Sequence, residues 1–385
     1  MEFKLIAPCV IGCIAVLVMH CAIPNDLSAQ SLSANTRKIC DLPATISESS
    51  GLVMAGPDKI WTHSDSGDPN FLFLVDTTGI LLRTLVIQNA SNIDWEDIAR
   101  DNEGNIWIND AGNNGQGRRD LRLYRINNPD LHQADTVQAI RLAFSFEDQI
   151  AFPPPASEHN FDIEAMSWYN DSLYLFTKDR SVPFTGYTKM YVLPADSGNY
   201  VARLVDSFFV DGDAQRGRVT AADIDTATGT LALLTRSQLL CFYNYPAALF
   251  FQGQLNRYFF SARVDQVEAI AFLNGNTLFM TDEGSPSNNV RGALYEVSLS
   301  QVVHVEPIAA KNKLKLHLSH NKQFIQLFGD LPIPAIVRVI SSEGKCVVTS
   351  TLGEEGRLNL PPLQPGLYFL EVQQAGLPHW IKFIY

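Results

Sequence analysis

The stretch Asn92–Asn114, NIDWEDIARDNEGNIWINDAGNN, gathers Asp94, Glu96 and Asp97 around Trp95, then runs through apolar alternation into a cluster of glycine and asparagine. Unpaired carboxylates at the start of an apolar strand repel one another and gain nothing from burial. One copy alone reads as a solvated turn, but the chain repeats the pattern. ESSGLVMAGPDKIWTHSDSG starts at Glu48, DIEAMSWYNDSLYLFTKD at Asp162, RVTAADIDTATGTLALLTR at Arg218 and QVEAIAFLNGNTLFMTDEG at Gln266. Each copy has a short apolar strand, a turn of Gly, Asn or Asp, and a second strand of alternating character that ends at an acid or Arg.

A third strand follows each copy, as FLFLVD, LRLYRI, KMYVLP, LLCFYN and ALYEVS. A fourth precedes the next opening in LLRTLVI, AIRLAFSF, RLVDSFFV and LNRYFFSA. Five four-stranded units arranged radially make an all-β, five-bladed β-propeller, since each sheet buries its faces on its neighbours. The fifth unit lacks a fourth strand, and TRKICDLP (Thr36–Pro43) is placed to supply it. Six blades are the alternative, with residues 147–158 as the hiding place, although Pro153, Pro154 and Pro155 favour a loop there.

In such a ring the first strands line the central channel, and five hairpins bring the same positions to one mouth. Position one reads Glu48, Asp94, Asp162, Arg218 and Gln266, and position three reads Ser50, Glu96, Glu164, Thr220 and Glu268. The residues taken to close the second strands are Asp65, Asp110, Asp179, Arg236 and Asp282. Crowded carboxylates must be protonated, paired or neutralised by a metal. Arg218 and Arg236 are the expected internal counter-charges. Glu48, Asp94, Glu96, Asp162, Glu164 and Glu268 offer the all-oxygen set that a hard cation such as Ca²⁺ prefers. The same acids also suit turn caps that accept backbone N–H groups, so structural, cation-binding and substrate-contacting roles all stay open. His63, two residues before Asp65, is a candidate ligand or base, with an exposed loop position as its default reading. The glycine-rich GNNGQGRRD (Gly112–Asp120) lacks the strand and helix context of a P-loop and reads as a surface loop.

The chain has 385 residues and a net charge of −12. Such a field repels nucleic acid and anionic membranes and favours cationic ligands. Residues 1–29 read as a secretory signal peptide, with an apolar run from Leu5 to Met19 too short for a membrane span and small residues at Ser28 and Ala29. Cys21 raises a lipoprotein alternative that His20 disfavours. Cleavage leaves Cys40, Cys241 and Cys346, spaced for neither zinc nor a disulfide framework, with unpaired thiols expected over a Cys40–Cys241 bridge.

In their order, ESSGL, DWEDIA, DIEAMSW, VTAADID with LALLTR, and VEAIAFLNGNTLFMTDE resemble the SdiA-regulated family of five-bladed propellers and the broader phytase-like, esterase-like propellers, over residues 36–300. Asp97 stands where that pattern has a small residue, and Arg218 where it has an acid. Residues 306–385 read as six or seven short strands of a small Ig-like β-sandwich. Their order resembles the (type A) C-terminal sorting domain of the type IX secretion system. That resemblance implies a secreted or cell-surface protein that meets the secretion machinery through its tail. The expected function is binding of a small-molecule or surface ligand, or a divalent cation, at the acidic mouth. A Ca²⁺-dependent phosphoesterase or esterase and an adhesive surface protein are the alternatives.

Overall fold

The computed structural model describes residues 30–46, 48–262, 264, 266–284, 290–300, 315–319, 322–328, 335–341, 345–353, 356–374 and 377–385. The expected signal peptide with Cys21, and the EPIAA opening of the tail, lie outside the described residues.

The protein is mostly β. After β1 (Gln30–Asp41), the first unit holds β2 (Ser49–Gly56), β3 (Lys59–Ser64), β4 (Phe71–Asp76) and β5 (Leu81–Ile87). The second holds β6 (Ile98–Arg100), β7 (Ile106–Asp110), β8 (Arg122–Ile126), the short β9 (Thr136–Val137) and β10 (Ile140–Phe146). The third holds β11 (Ile163–Tyr169), β12 (Ser172–Thr177), β13 (Tyr187–Pro194) and β14 (Gly198–Phe209). The fourth holds β15 (Val219–Asp225), β16 (Thr230–Thr235), β17 (Gln238–Tyr243) and β18 (Gln254–Phe260), and the fifth β19 (Val267–Asn274), β20 (Thr277–Asp282) and β21 (Ala293–Leu299). Every strand read from the alternation is present. Residues 147–158 carry only bends and a short 3₁₀ turn at Ala156–Glu158.

Within each unit the strands other than β9 pair antiparallel in chain order, and the first strands pack on one another in the cycle β2, β6, β11, β15, β19 and back to β2. Five apolar seams follow that cycle. Trp61 and Leu72 meet Ile98 and Ile108; Trp107 and Leu123 meet Met166 and Leu175. Phe176 and Met190 meet Leu233 and Phe242; Leu234 and Leu239 meet Ile270 and Met280; Phe279 and Leu294 meet Leu52 and Ile60. Burial of one such side chain stabilises by roughly 1.5–3 kcal/mol, so the seams outweigh any single polar contact.

The N-terminal strand does more than complete the fifth unit. Residues Ala34–Asp41 pair antiparallel with β21, as expected for a fourth strand, while Gln30–Ala34 pair parallel with β18 of the fourth unit. One strand thus joins two sheets and covers both of their edges. The other outer edges are paired in the same way, β14 with β10 and β5 with β9, both parallel.

The tail holds β22 (Lys315–Leu318), β23 (Phe324–Phe328), β24 (Ala335–Ser341), β25 (Cys346–Leu352), β26 (Arg357–Asn359), β27 (Leu367–Gln374) and β28 (Leu377–Ile384). They form a three-stranded sheet, β22-β23-β26, and a four-stranded sheet, β25-β24-β27-β28. Ile325 and Leu358 from the first share a core with Val337, Val339, Leu370 and Val372 from the second. Cys40, Cys241 and Cys346 are all free thiols. Among the described residues no helix is long and apolar enough to cross a membrane.

Candidate functional site

The repeated acidic opening coincides with a repeated backbone device. The pairing of first and second strands slips by one residue at Ser49/Gly51, Ile163/Ala165, Val219/Ala221 and Val267/Ala269. The extra residue at each slip is Ser50, Glu164, Thr220 or Glu268, which is position three of the motif. In the second unit Glu96 and Asp97 both face Asn109, through Glu96 N to Asn109 O at 3.0 Å and Asn109 N to Asp97 O at 2.9 Å. A β-bulge bends the strand and re-aims the side chain, so the motif marks where the chain turns a polar group toward its neighbours.

The same slip corrects the expected closing residues. Backbone bonds set Asp65 opposite Glu48 (2.9 Å), Lys178 opposite Asp162 (2.9 Å) and Glu283 opposite Gln266 (3.0 Å). Lys178 and Glu283 therefore hold the positions expected for Asp179 and Asp282. A one-residue shift moves a side chain to the other face. Asp179 instead caps its loop, accepting from Ser181 N (2.8 Å), Thr185 N (3.0 Å) and Gly186 N (2.7 Å). Asp282 accepts from Ala293 N (2.7 Å) and Tyr295 Oη (2.8 Å). Asp110 accepts from Asp94 N at 3.1 Å and pairs with Arg118 at 3.3 Å. These three acids hold loops and strands together.

The expected counter-charges differ as well. Arg218 donates from Nε to the Asp179 carbonyl (3.1 Å) and lies over Phe184, and Arg236 donates to Gln215 (3.3 Å). The bases paired to the mouth acids come from the third unit, with Arg236 a lesser influence on Glu268. Lys178 Nζ donates to Glu164 Oε2 at 2.8 Å and lies 3.8 Å from Glu268 Oε2. Arg180 donates from Nε to Asp162 Oδ2 and from Nη2 to Glu164 Oε1, each at 2.6 Å. Those pairings raise the pKa of both bases above their ordinary values despite burial. Lys178, Arg180 and Glu283 carry no signal of their own in TKDR and TDE, where counting without the bulge points to Asp179 and Asp282. His63 is a further correction: it is fully buried, edge-on to Trp95 at 5.6 Å, with Nδ1 at 2.9 Å from the Ser64 carbonyl. It lies over bare Gly51, and burial pushes its pKa down to about 4.

Two carboxylate triads remain, each with ligand atoms within 4.8 Å of one another: Asp65, Asp94 and Glu96, and Glu96, Asp162 and Glu164. Glu96 belongs to both. Its side chain is packed to 5 % exposure, and no hydrogen bond or ion pair holds its carboxylate among the described residues. Space for it comes from Gly112, where a Cβ would lie 2.3 Å from Glu96 Oε1 and 2.6 Å from Asp94 Oδ2. A cavity of about 370 Å³ opens beside Asp94, lined by Asn113, Asn114, Gly115, Gly117 and Arg118. This buried acidic cluster is able to hold a metal ion.

Deeper along the inner strands lies an acid that fell outside the expected site. Asp97, fully buried, accepts from Ile98 N (2.8 Å), Met166 N of the third unit (2.9 Å) and Ala222 N of the fourth (3.1 Å). Asp223 accepts from Phe272 N of the fifth unit at 2.7 Å. Ser49 hydroxyl contacts to Thr62 and Thr281, both 2.8 Å, tie the fifth unit to the first. These bonds satisfy inner-strand amides and hydroxyls that would otherwise be buried without partners.

The electrostatics give a signed prediction. Burial raises Asp162, Asp223 and Glu283 to about 7 and Glu268 to about 8. A raised carboxyl favours the folded state below its ordinary value and loses that contribution as pH climbs through the folded value. His63 and Glu164, both lowered, act in the opposite sense but only below about pH 6.5. Between pH 6.5 and 9, in chelator, the melting temperature is expected to fall by several degrees. A flat or rising profile in differential scanning calorimetry contradicts the assignment of buried, proton-holding acids.

No family model and no curated protein matches the chain. Among solved structures, it is similar to the PQQ-bound aldose sugar dehydrogenase of Streptomyces coelicolor, at 10% identity and a TM-score of 0.41, covering 69% of this chain and 99% of that one. It is also similar to PorZ, a surface component of the type-IX secretion system of Porphyromonas gingivalis, at 11% identity and a TM-score of 0.33, covering 87% of this chain but 44% of that one. Likeness this weak carries no inference about activity.

Proposed function

We propose that the chain is an exported five-bladed β-propeller of the SdiA-regulated-like kind that binds a divalent cation of the Ca²⁺ class at Asp65, Asp94 and Glu96. Glu48 and Glu283 add negative charge beside that triad: Glu48 helps to raise Asp65, and Asp65 and Glu48 both help to raise Glu283. The observation that carries the reading is the unpartnered carboxylate of Glu96, held over bare Gly112 in the middle of converging acids. An enclosed carboxylate without a partner is costly, and a hard cation with several oxygen ligands removes that cost. Arg118 and the asparagines around the adjoining cavity suit a polar ligand reaching the same ion. Residues 306–385 serve in this reading as an Ig-like sorting module for type IX-like export to the outside of the cell.

Binding without catalysis is the preferred reading; in the hydrolase alternative the carboxylates would hold the metal and activate water, since His63, the candidate base, is enclosed behind Trp95. Calorimetric titration with Ca²⁺ is expected to show one ion per chain, and Glu96→Gln to weaken it about a hundredfold while the fold persists. No heat of binding at millimolar Ca²⁺ would refute the cation site. Chelator-sensitive release of nitrophenol from a model ester or phosphoester would favour the hydrolase.

A further inference from the structure

Geometry brings two triads together, yet they differ in what already occupies them. Both Glu164 oxygens are taken, Oε1 by Arg180 and Oε2 by Lys178. Both Asp162 oxygens are taken too, Oδ2 by Arg180 and Oδ1 by the Asn113 amide at 2.5 Å. Among the described residues Asp65 and Asp94 have no ion pair, and the Glu96 carboxylate has neither an ion pair nor a hydrogen bond. We propose that Lys178 and Arg180 are tethered counter-ions that reserve the second triad for the chain itself, so that the mouth takes one exchangeable divalent ion where its carboxylates would otherwise hold two.

The proposal rests on the cation reading above and deepens it by assigning the residues that set stoichiometry and charge preference. A guanidinium bridging two carboxylates occupies the volume and the lone pairs that a metal would need. It also places positive charge beside Glu96, which limits how strongly the first triad attracts a cation. Lys178 sits between Glu164 and Glu268 and also acts on Glu96. Both bases come from TKDR, Thr177–Arg180, which begins at the last residue of β12, so one short segment carries the whole device.

The test is a titration of the full chain with Ca²⁺, and in parallel with Tb³⁺ read by luminescence sensitised by Trp95. Wild type is expected to take one ion. Arg180→Gln, which frees Asp162 Oδ2 and Glu164 Oε1, is expected to take a second ion or to bind the first about tenfold more tightly. Lys178→Met, which leaves the Arg180 bridge intact, is expected to keep one ion with a smaller gain in affinity. Arg180→Lys keeps the charge but loses the two-point bridge, and is expected to fall between wild type and Arg180→Gln. If Arg180→Gln is too unstable without metal, a Ca²⁺-induced rise in melting temperature larger than that of wild type gives the same answer. One ion at unchanged affinity in both charge-removing variants, or a rise no larger than wild type, overturns the proposal. Absence of any ion in wild type would instead refute the cation site itself.

Discussion

Asp97→Ala is expected to cost about 4 kcal/mol of stability, the largest loss of any single polar substitution in the ring. Three buried amides from three different units lose their acceptor together, and each buried group left unsatisfied costs roughly 1–3 kcal/mol. Met166 and Ala222 are both buried, so bulk solvent does not reach these amides in the folded protein. Asp97→Asn keeps an acceptor oxygen at the same place and is expected to lose much less. Burial raises the Asp97 carboxyl well above its ordinary value, and the amides only partly offset this, so a neutral side chain is tolerated there. Urea unfolding of the two variants separates the accounts. Equal, small losses would mean that the inner strands are held by their apolar seams alone.

Removal of residues 30–43 is expected to have an effect at least as large. β1 lies between β18 and β21, and its loss leaves both as open edges while taking Ala34 and Leu42 out of two seams. Arg291, which donates to the Leu42 carbonyl, loses its partner at the same time. A fall of more than about 10 °C in melting temperature, or loss of a cooperative transition, is the expected result. The free edges should also promote self-association, detectable by light scattering. A truncated chain that melts like the full one would show that the ring closes without its N-terminal strand.

The strands were legible because their signal is local. Alternation, turn residues and the repeated opening are all written within twenty residues, and they place β2 to β21 except the two-residue β9, whose partner β5 lies about fifty residues away. The site was legible only in part, for a physical reason visible at single residues. A bulge at Glu164 changes which residue faces Asp162, so counting along the sequence selected Asp179 where the fold uses Lys178. Asp97 was read as a departure from a small residue, because its partners Met166 and Ala222 lie 69 and 125 residues away. His63 sits among Thr, Ser and Asp in WTHSDSGD and read as exposed, yet Gly51 opposite it leaves a gap that the imidazole fills. Local sequence reports the polarity of a segment but not the absence of a side chain on the strand it will meet.

The pairing of Glu96 with Gly112 carries the same lesson in the other direction. Both residues lie in the stretch Asn92–Asn114, and the glycine that looked like a turn former is the space in which the carboxylates converge. Anomalous diffraction from crystals soaked in Tb³⁺ locates the ion without any assumption about activity. A single peak about 2.3–2.6 Å from oxygens of Asp65, Asp94 and Glu96 is the expected result. No peak at that triad, with or without one elsewhere on the surface, would contradict the account and leave the acids as internal struts of the ring.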